Sequence, residues 1–131
     1  MEFKVKKHNK VDFIEIYSNW LLKHKFPLNC LSIMPETFFV CYYKKNPIYA
    51  IPFWNTDSRI AIIAFIVSNK DIDYKQKEGG LDYLINYIED YARKDNYNCI
   101  YSSSSNKKIK KILNKNNFIN GDTNCQFFKI L

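Results

Sequence analysis

The residues of this chain best placed to do chemistry are Gly79 and Gly80, side by side and directly before the strongest amphipathic pattern in the sequence. Only three glycines occur in 131 residues. A pair at one junction points to the uses glycine has, positive φ or close backbone approach to something bulky. The first turn of a helix carries N–H groups without intrahelical acceptors and the positive end of the dipole, so Gly79, Gly80 and Leu81 would offer backbone donors to a phosphate. Lys75 and Lys77, just upstream, would add mobile countercharge. The competing reading is a helix-start turn with no ligand, since short glycine motifs recur in such turns.

Other chemistries have weaker signatures. Cys30, Cys41, Cys99 and Cys125 are far apart and form no C-x-x-C pair, and His8 and His24 add no ligand spacing, so no metal site is expected. Cys41 and Cys99 lie in apolar runs, where reduced, buried thiols are expected. The run Ser102 to Ser105 has no partnered base and reads as a polar connection between strand and helix. Glu36, Asp57 and His24 have the right type for a general base, yet nothing in the sequence brings them together. No catalytic residue is assigned.

A net charge of +7 suits an anionic partner, but the positive charge is nearly all lysine, with Arg59 and Arg93 the only arginines. Base readout favours arginine, which argues against nucleic acid and for a solvated lysine surface. The N-terminus has charges between its apolar residues, unlike a signal peptide, and the longest apolar run, Ile60 to Val67, is too short to span a bilayer. A soluble cytoplasmic protein is expected, without a membrane partner. Its length suits one domain over residues 1–131.

The elements that must position the glycines follow from periodicity. Phe3 and Val5 alternate with lysines as a first strand, and Val11 to Lys23 has helical spacing, stopped before Pro27. Leu28 to Glu36 reads as a loop with a short helical turn. Thr37–Tyr43 and Ile48–Trp54 form a hairpin, with a bulge or unpaired position required at Pro52. Arg59 to Val67 reads as a near-continuous strand buried on both faces. Beyond a polar stretch, Leu81, Leu84, Ile85, Ile88 and Ala92 mark a helix. Asn98–Ser102 follows as a strand parallel to Arg59–Val67, then a lysine-rich helix from Asn106 to Lys115. Phe118–Ile119 and Gln126–Ile130 are expected to close a hairpin around Gly121. The predicted fold is α+β, a mixed sheet in the order β-α-β-β-β-α-β-α-β-β.

With that order, the chain resembles the GNAT superfamily of acyl-CoA-dependent N-acyltransferases along its whole length. Two motifs carry the resemblance. The cofactor loop, Q/R-x-x-G-x-G/A, is matched by Gln76-Lys77-Glu78-Gly79-Gly80-Leu81. The later helix, N-x-x-A-x-x-L-Y-x-K-x-G-F, is matched from Asn106 through Ile109, Leu113 and Lys115 to Asn117-Phe118. The resemblance implies acetyl-CoA as acyl donor, with its diphosphate on the loop amides, pantetheine pairing near Ile66 and Val67, and Gln76, Lys77 and Asn106 contributing. Asn106 also reads as an ordinary helix cap.

The departures are Leu81, where the family has Gly or Ala and a branched side chain is expected to crowd the cofactor, and Leu113, where many members carry the tyrosine that protonates the departing thiolate. Asn117 replaces a glycine, which asparagine's tolerance of the left-handed region makes mild. The expected function is acetyl transfer to an amine whose identity the sequence does not name. The alternative is a GNAT-fold protein without catalysis that serves as a binding or structural component, for instance of a phage or other virus. A protein partner or self-association is open to either.

Overall fold

The first strand, β1, runs past the alternation of lysines with Phe3 and Val5 and spans Phe3–Asn9. The computed structural model describes residues 2–26, 28–121 and 129, with backbone only for 28–30. Helix α1, Lys10–Lys23, follows at once; Asn9 holds the N-cap position, without a side-chain cap bond. A 3-10 segment, Leu28–Ile33, provides the short helical turn expected before β2, Thr37–Tyr43, and β3, Asn46–Trp54. The fourth strand is divided: β4 is Ile60–Ile63 and β5 is Val67–Ser68. Next come α2, Tyr74–Lys77, inside the stretch expected to be irregular, α3, Gly80–Lys94, β6, Cys99–Ser102, and α4, Lys107–Lys115.

The described strands form one mixed sheet in the order β1-β2-β3-β4-β6, with β5 also on β3. All pairs are antiparallel except β4 with β6, which runs parallel as expected of a strand–helix–strand unit. Strand alternation sends Phe39, Cys41, Phe53, Ala61 and Ile63 to one face, where α3 buries Leu84, Ile85 and Ile88 against them. Phe38, Val40 and Ala50 go to the other, under Phe13, Tyr17, Trp20 and Leu21 of α1. The result is the predicted α+β class.

Several expectations change. No bulge falls at Pro52, which pairs with Phe38, the β2–β3 irregularity lying between Cys41 and Tyr42; of the two expected alternatives it is the unpaired position that occurs. On its other edge Pro52 falls between Ala50, paired with Val67, and Phe53, paired with Ile63, so the donor it lacks has no partner strand to miss. Cys99 is exposed because β6 is an edge among the described strands, whereas Cys41 is buried in the middle. Phe118 and Ile119 form no strand; Gln126 to Ile130 lie outside the described residues except Lys129. No described helix is long and apolar enough to cross a membrane.

Candidate functional site

A strand interrupted inside an apolar run needs a cause, and the cause sits at Phe65. Its φ of +54° is the left-handed region, which costs a non-glycine residue about 1–2 kcal/mol. An unbroken strand would put Ile63, Phe65 and Val67 on one face. Instead Ile63 and Ile66 share the α3 face and Val67 joins the α1 face, so the break inverts the strand's alternation. Tyr17 of α1 and His24 at its C-cap, two turns apart, hold the distorted segment. Tyr17 donates its hydroxyl to the Phe65 carbonyl at 2.7 Å. His24 Nε2 lies 2.9 Å from the Ser68 carbonyl. A carbonyl only accepts, so Nε2 carries the proton and Nδ1 keeps its lone pair in the neutral ring. Burial lowers the His24 pKa, the Ser68 bond opposes this, and the Lys70 and Lys77 ammonium groups lower it further.

The break also frees a backbone edge. Parallel pairing of β4 with β6 ends at Ile63–Ser102, and β5 pairs only with β3. Asn69 N donates to Ile48 O at 2.8 Å, and the Tyr49–Ser68 and Ala50–Val67 register places this bond in step with Val67. Antiparallel ladders bond at alternate pairs, so Val67 and Asn69 face β3, while the N–H and C=O groups of Ile66 and Ser68 point away from it, the Ser68 carbonyl to His24 and the others to the side where β6 has departed.

The start of α3 lies beside the end of this edge. Gly80 is buried; a Cβ there would stand 2.6 Å from Ile48 Cδ1 and 3.4 Å from the Tyr49 ring, and Tyr49 is the register partner of Ser68. Gly79 has φ +83° at the N-cap. Both glycines therefore have a conformational or packing reason, and together they bring the unpaired first-turn amides of α3 to the end of β5. Asp82, in that turn, is held away by α4: its Oδ1 accepts from Asn116 Nδ2 at 2.9 Å and its Oδ2 lies 3.6 Å from Lys115 Nζ.

Positive charge gathers at the same place. Lys77 is buried and donates to the Asn69 carbonyl at 3.0 Å, so it is a fixed charge instead of the mobile one expected. Burial lowers its pKa, with Lys108 and Lys70 adding to the effect and Asp73 opposing it. An open cavity of about 530 Å³ adjoins it, lined by Lys70, Asp71, Ile72, Asp73, Tyr74 and Lys77. Lys108 Nζ stands over the Tyr74 ring, 5.8 Å from its centre.

No family model matches the chain, and no curated protein matches it. Solved structures do. An aminoglycoside acetyltransferase from an uncultured soil metagenomic sample, in complex with sisomicin, superposes with a TM-score of 0.72 at 10% identity, covering 98% of this chain and 96% of that one. An aminoglycoside N-acetyltransferase in complex with CoA gives 0.70 at 13% identity, covering 98% and 95%. A ribosomal-protein-alanine N-acetyltransferase from Brucella melitensis biovar Abortus gives 0.71 at 11%, covering 98% and 100%. The chain has the GNAT fold.

Within the GNAT fold, the residues expected from the two motifs fall as follows. Gly79, Gly80 and Leu81 form the start of α3, with exposed Gln76 and buried Lys77 one turn before it in α2. The Leu81 side chain is 2% exposed and packs in the core with Leu84 and Ile85, so its bulk is spent inside. Ile66 faces the free edge, whereas the backbone of Val67 faces β3. Asn106 Oδ1 accepts from Lys108 N at 2.9 Å and Ile109 N at 3.1 Å, capping α4. Leu113 belongs to the core, and Asn117 takes φ +69°, as its place in the motif led us to expect. Exposed Glu36 and Asp57 are not among the side chains that hold the break. Sequence reasoning missed Ser68, Tyr17, Asn69 and Lys70. Ser68 alone had a signal, as the residue next to Val67.

Proposed function

We propose that the chain is an acyl-CoA-dependent N-acyltransferase that passes an acetyl group to an amine. The observation that carries this reading is the backbone edge at Ile66 and the Ser68 N–H, ending beside the unpaired amides of α3; the Ser68 carbonyl is held by His24. One end suits an amide-bearing arm, which would add to β5 as a strand does; the other suits a diphosphate. Acyl-CoA has both parts in that order, and it supplies an activated thioester. Gly80, Leu81 and Asp82 contribute backbone N–H donors, and Lys70 and Lys77 contribute fixed positive charge. An anion there would offset the mutual repulsion that helps to lower the Lys77 pKa. Gln76 is exposed one turn away, and Asn106 keeps its amide NH2 beyond the cap. The solved neighbours bound to CoA or named for acetyl transfer support the same reading.

A second reading, a GNAT-fold binding protein without catalysis, is favoured by one observation: Leu113 is a core residue and gives no acid at that position. Calorimetry and thermal shift with acetyl-CoA and desulfo-CoA test the site first. Ligand at one hundred times its Kd stabilises the fold by about 2.7 kcal/mol. Absence of any shift at millimolar acetyl-CoA refutes the proposal. If binding occurs, thiol release across a panel of amines separates the enzyme from the binder.

A further inference from the structure

Among the described residues, Ser102 Oγ is the one buried side-chain polar atom that makes no hydrogen bond. Buried hydroxyls find partners as a rule, and one without a partner calls for a reason. Its place in the fold supplies one. Ser102 is the last residue of β6 and pairs with Ile63, the last residue of β4, so it stands where the two strands part. Ile100, two residues earlier, packs against the α3-side core, and alternation puts the Ser102 side chain on that same face. Leu113 of α4 packs on this face too and has no proton to offer.

The direction of the site brings the reacting sulfur to Ser102. A diphosphate at the α3 amides lies beyond Ser68, at the far end of β5. An arm laid along Ser68 and Ile66 from there runs towards the Phe65 break, and its thioester end reaches the point where pairing stops at Ile63 and Ser102. We propose that the Ser102 hydroxyl donates a hydrogen bond to the sulfur of the departing thiolate. The inference rests on the acyltransferase reading above. In the transfer the amine nitrogen bonds to the thioester carbonyl carbon, and the C–S bond breaks with its electron pair staying on sulfur. The proton shed by the amine ends on that sulfur by way of solvent, giving amide and free thiol. Ser102 keeps its own proton, because an alkyl hydroxyl is a far weaker acid than a thiol. Its contribution is a donor aimed at the charge that develops as the bond breaks.

The test uses the full-length chain and its Ser102→Ala variant. With CoA bound, the thiol is titrated by thiolate ultraviolet absorbance; a charge-assisted bond lost in the variant raises the bound-thiol pKa by about one unit. Desulfo-CoA, which has no sulfur, binds both proteins equally. Acetyl transfer to hydroxylamine falls about tenfold in kcat with KM for acetyl-CoA unchanged, the pattern of a transition-state interaction. The ligand-free variant melts at the same temperature or about 3 °C higher, since an unpartnered buried hydroxyl is removed. An unchanged thiol pKa overturns the role of Ser102 while leaving the acyltransferase reading in place. So does a lower melting temperature of the ligand-free variant, which would give the hydroxyl a structural partner. If the wild-type chain binds neither CoA nor desulfo-CoA, the acyltransferase reading fails and this inference with it.

Discussion

Replacing Gly80 by alanine sets two effects against each other, and the structure says which wins. Alanine in place of glycine at a helical position gains up to about 1 kcal/mol of propensity. The new Cβ would lie 2.6 Å from Ile48 Cδ1, with the Phe3 and Tyr49 rings at 3.4 Å on either side. Ile48 is fully buried, so its methyl has little room to retreat. Overpacking of this kind costs about 1–3 kcal/mol, and we expect a net loss near 1.5 kcal/mol for Gly80→Ala. Ile48→Val removes the offending Cδ1 and by itself costs about 1 kcal/mol. In the double variant a methyl group has in effect moved from residue 48 to residue 80, and volume-conserving exchanges are well tolerated. The double should lose about 1 kcal/mol, whereas additivity requires about 2.5. A urea-unfolding cycle followed by circular dichroism reads the difference, a coupling of about 1.5 kcal/mol. Additive losses would mean that the two atoms do not compete for space, and the packing reason for Gly80 would fall.

Tyr17→Phe should cost about 1–2 kcal/mol, because it leaves the Phe65 carbonyl without its 2.7 Å donor; equilibrium unfolding measures it, and no loss would contradict the α1 clamp on the strand break. Asn106→Ala should lower stability by about 1 kcal/mol through the lost cap to Lys108 N and Ile109 N, while Asn106→Ser keeps most of it. A melting-temperature drop shared by both variants would discount the cap. His24 has a folded pKa below the ordinary histidine value, so at pH values between the two the unfolded chain binds more protons. Its contribution is complete above the ordinary histidine range and is lost as pH falls through the lowered folded value. Urea midpoints measured from pH 7 to pH 5 should therefore fall less steeply in His24→Gln than in the wild type. Some slope should remain from His8, which is shifted in the same direction by burial and Lys6 against Asp12. Identical slopes would remove His24 from the linkage.

Local pattern sufficed for most of the described elements because these helices and strands follow their own side-chain periods. Leu81, Leu84, Ile85, Ile88 and Ala92 are all buried on α3, and Thr37–Tyr43 has the predicted bounds. The candidate site was legible in its glycines and its cap, since φ preference and Asn capping are properties of one or two residues. Its remaining parts were not. Short-range pattern gave no warning that Ile60 to Val67 is two strands, because the left-handed Phe65 is held by Tyr17, 48 residues away in sequence. Lys77 read as a mobile surface charge until the Asn69 carbonyl and the packing around α2 enclosed it. Leu81 read as an obstacle because a sequence does not say which way a side chain at a helix start points.

By itself, then, the sequence determined the order of the main elements from β1 to α4, the buried face of α3 and the junction where two glycines open a helix. Each depends on the residue types within one element. Tertiary structure alone decided that the glycines seat α3 against Ile48 and Tyr49, that the Ile66 backbone and the Ser68 N–H are left facing outward, and that Ser102 ends its strand with an unspent hydroxyl. Those features arise where separate elements meet, and the free energies that set them belong to contacts between residues far apart in the chain.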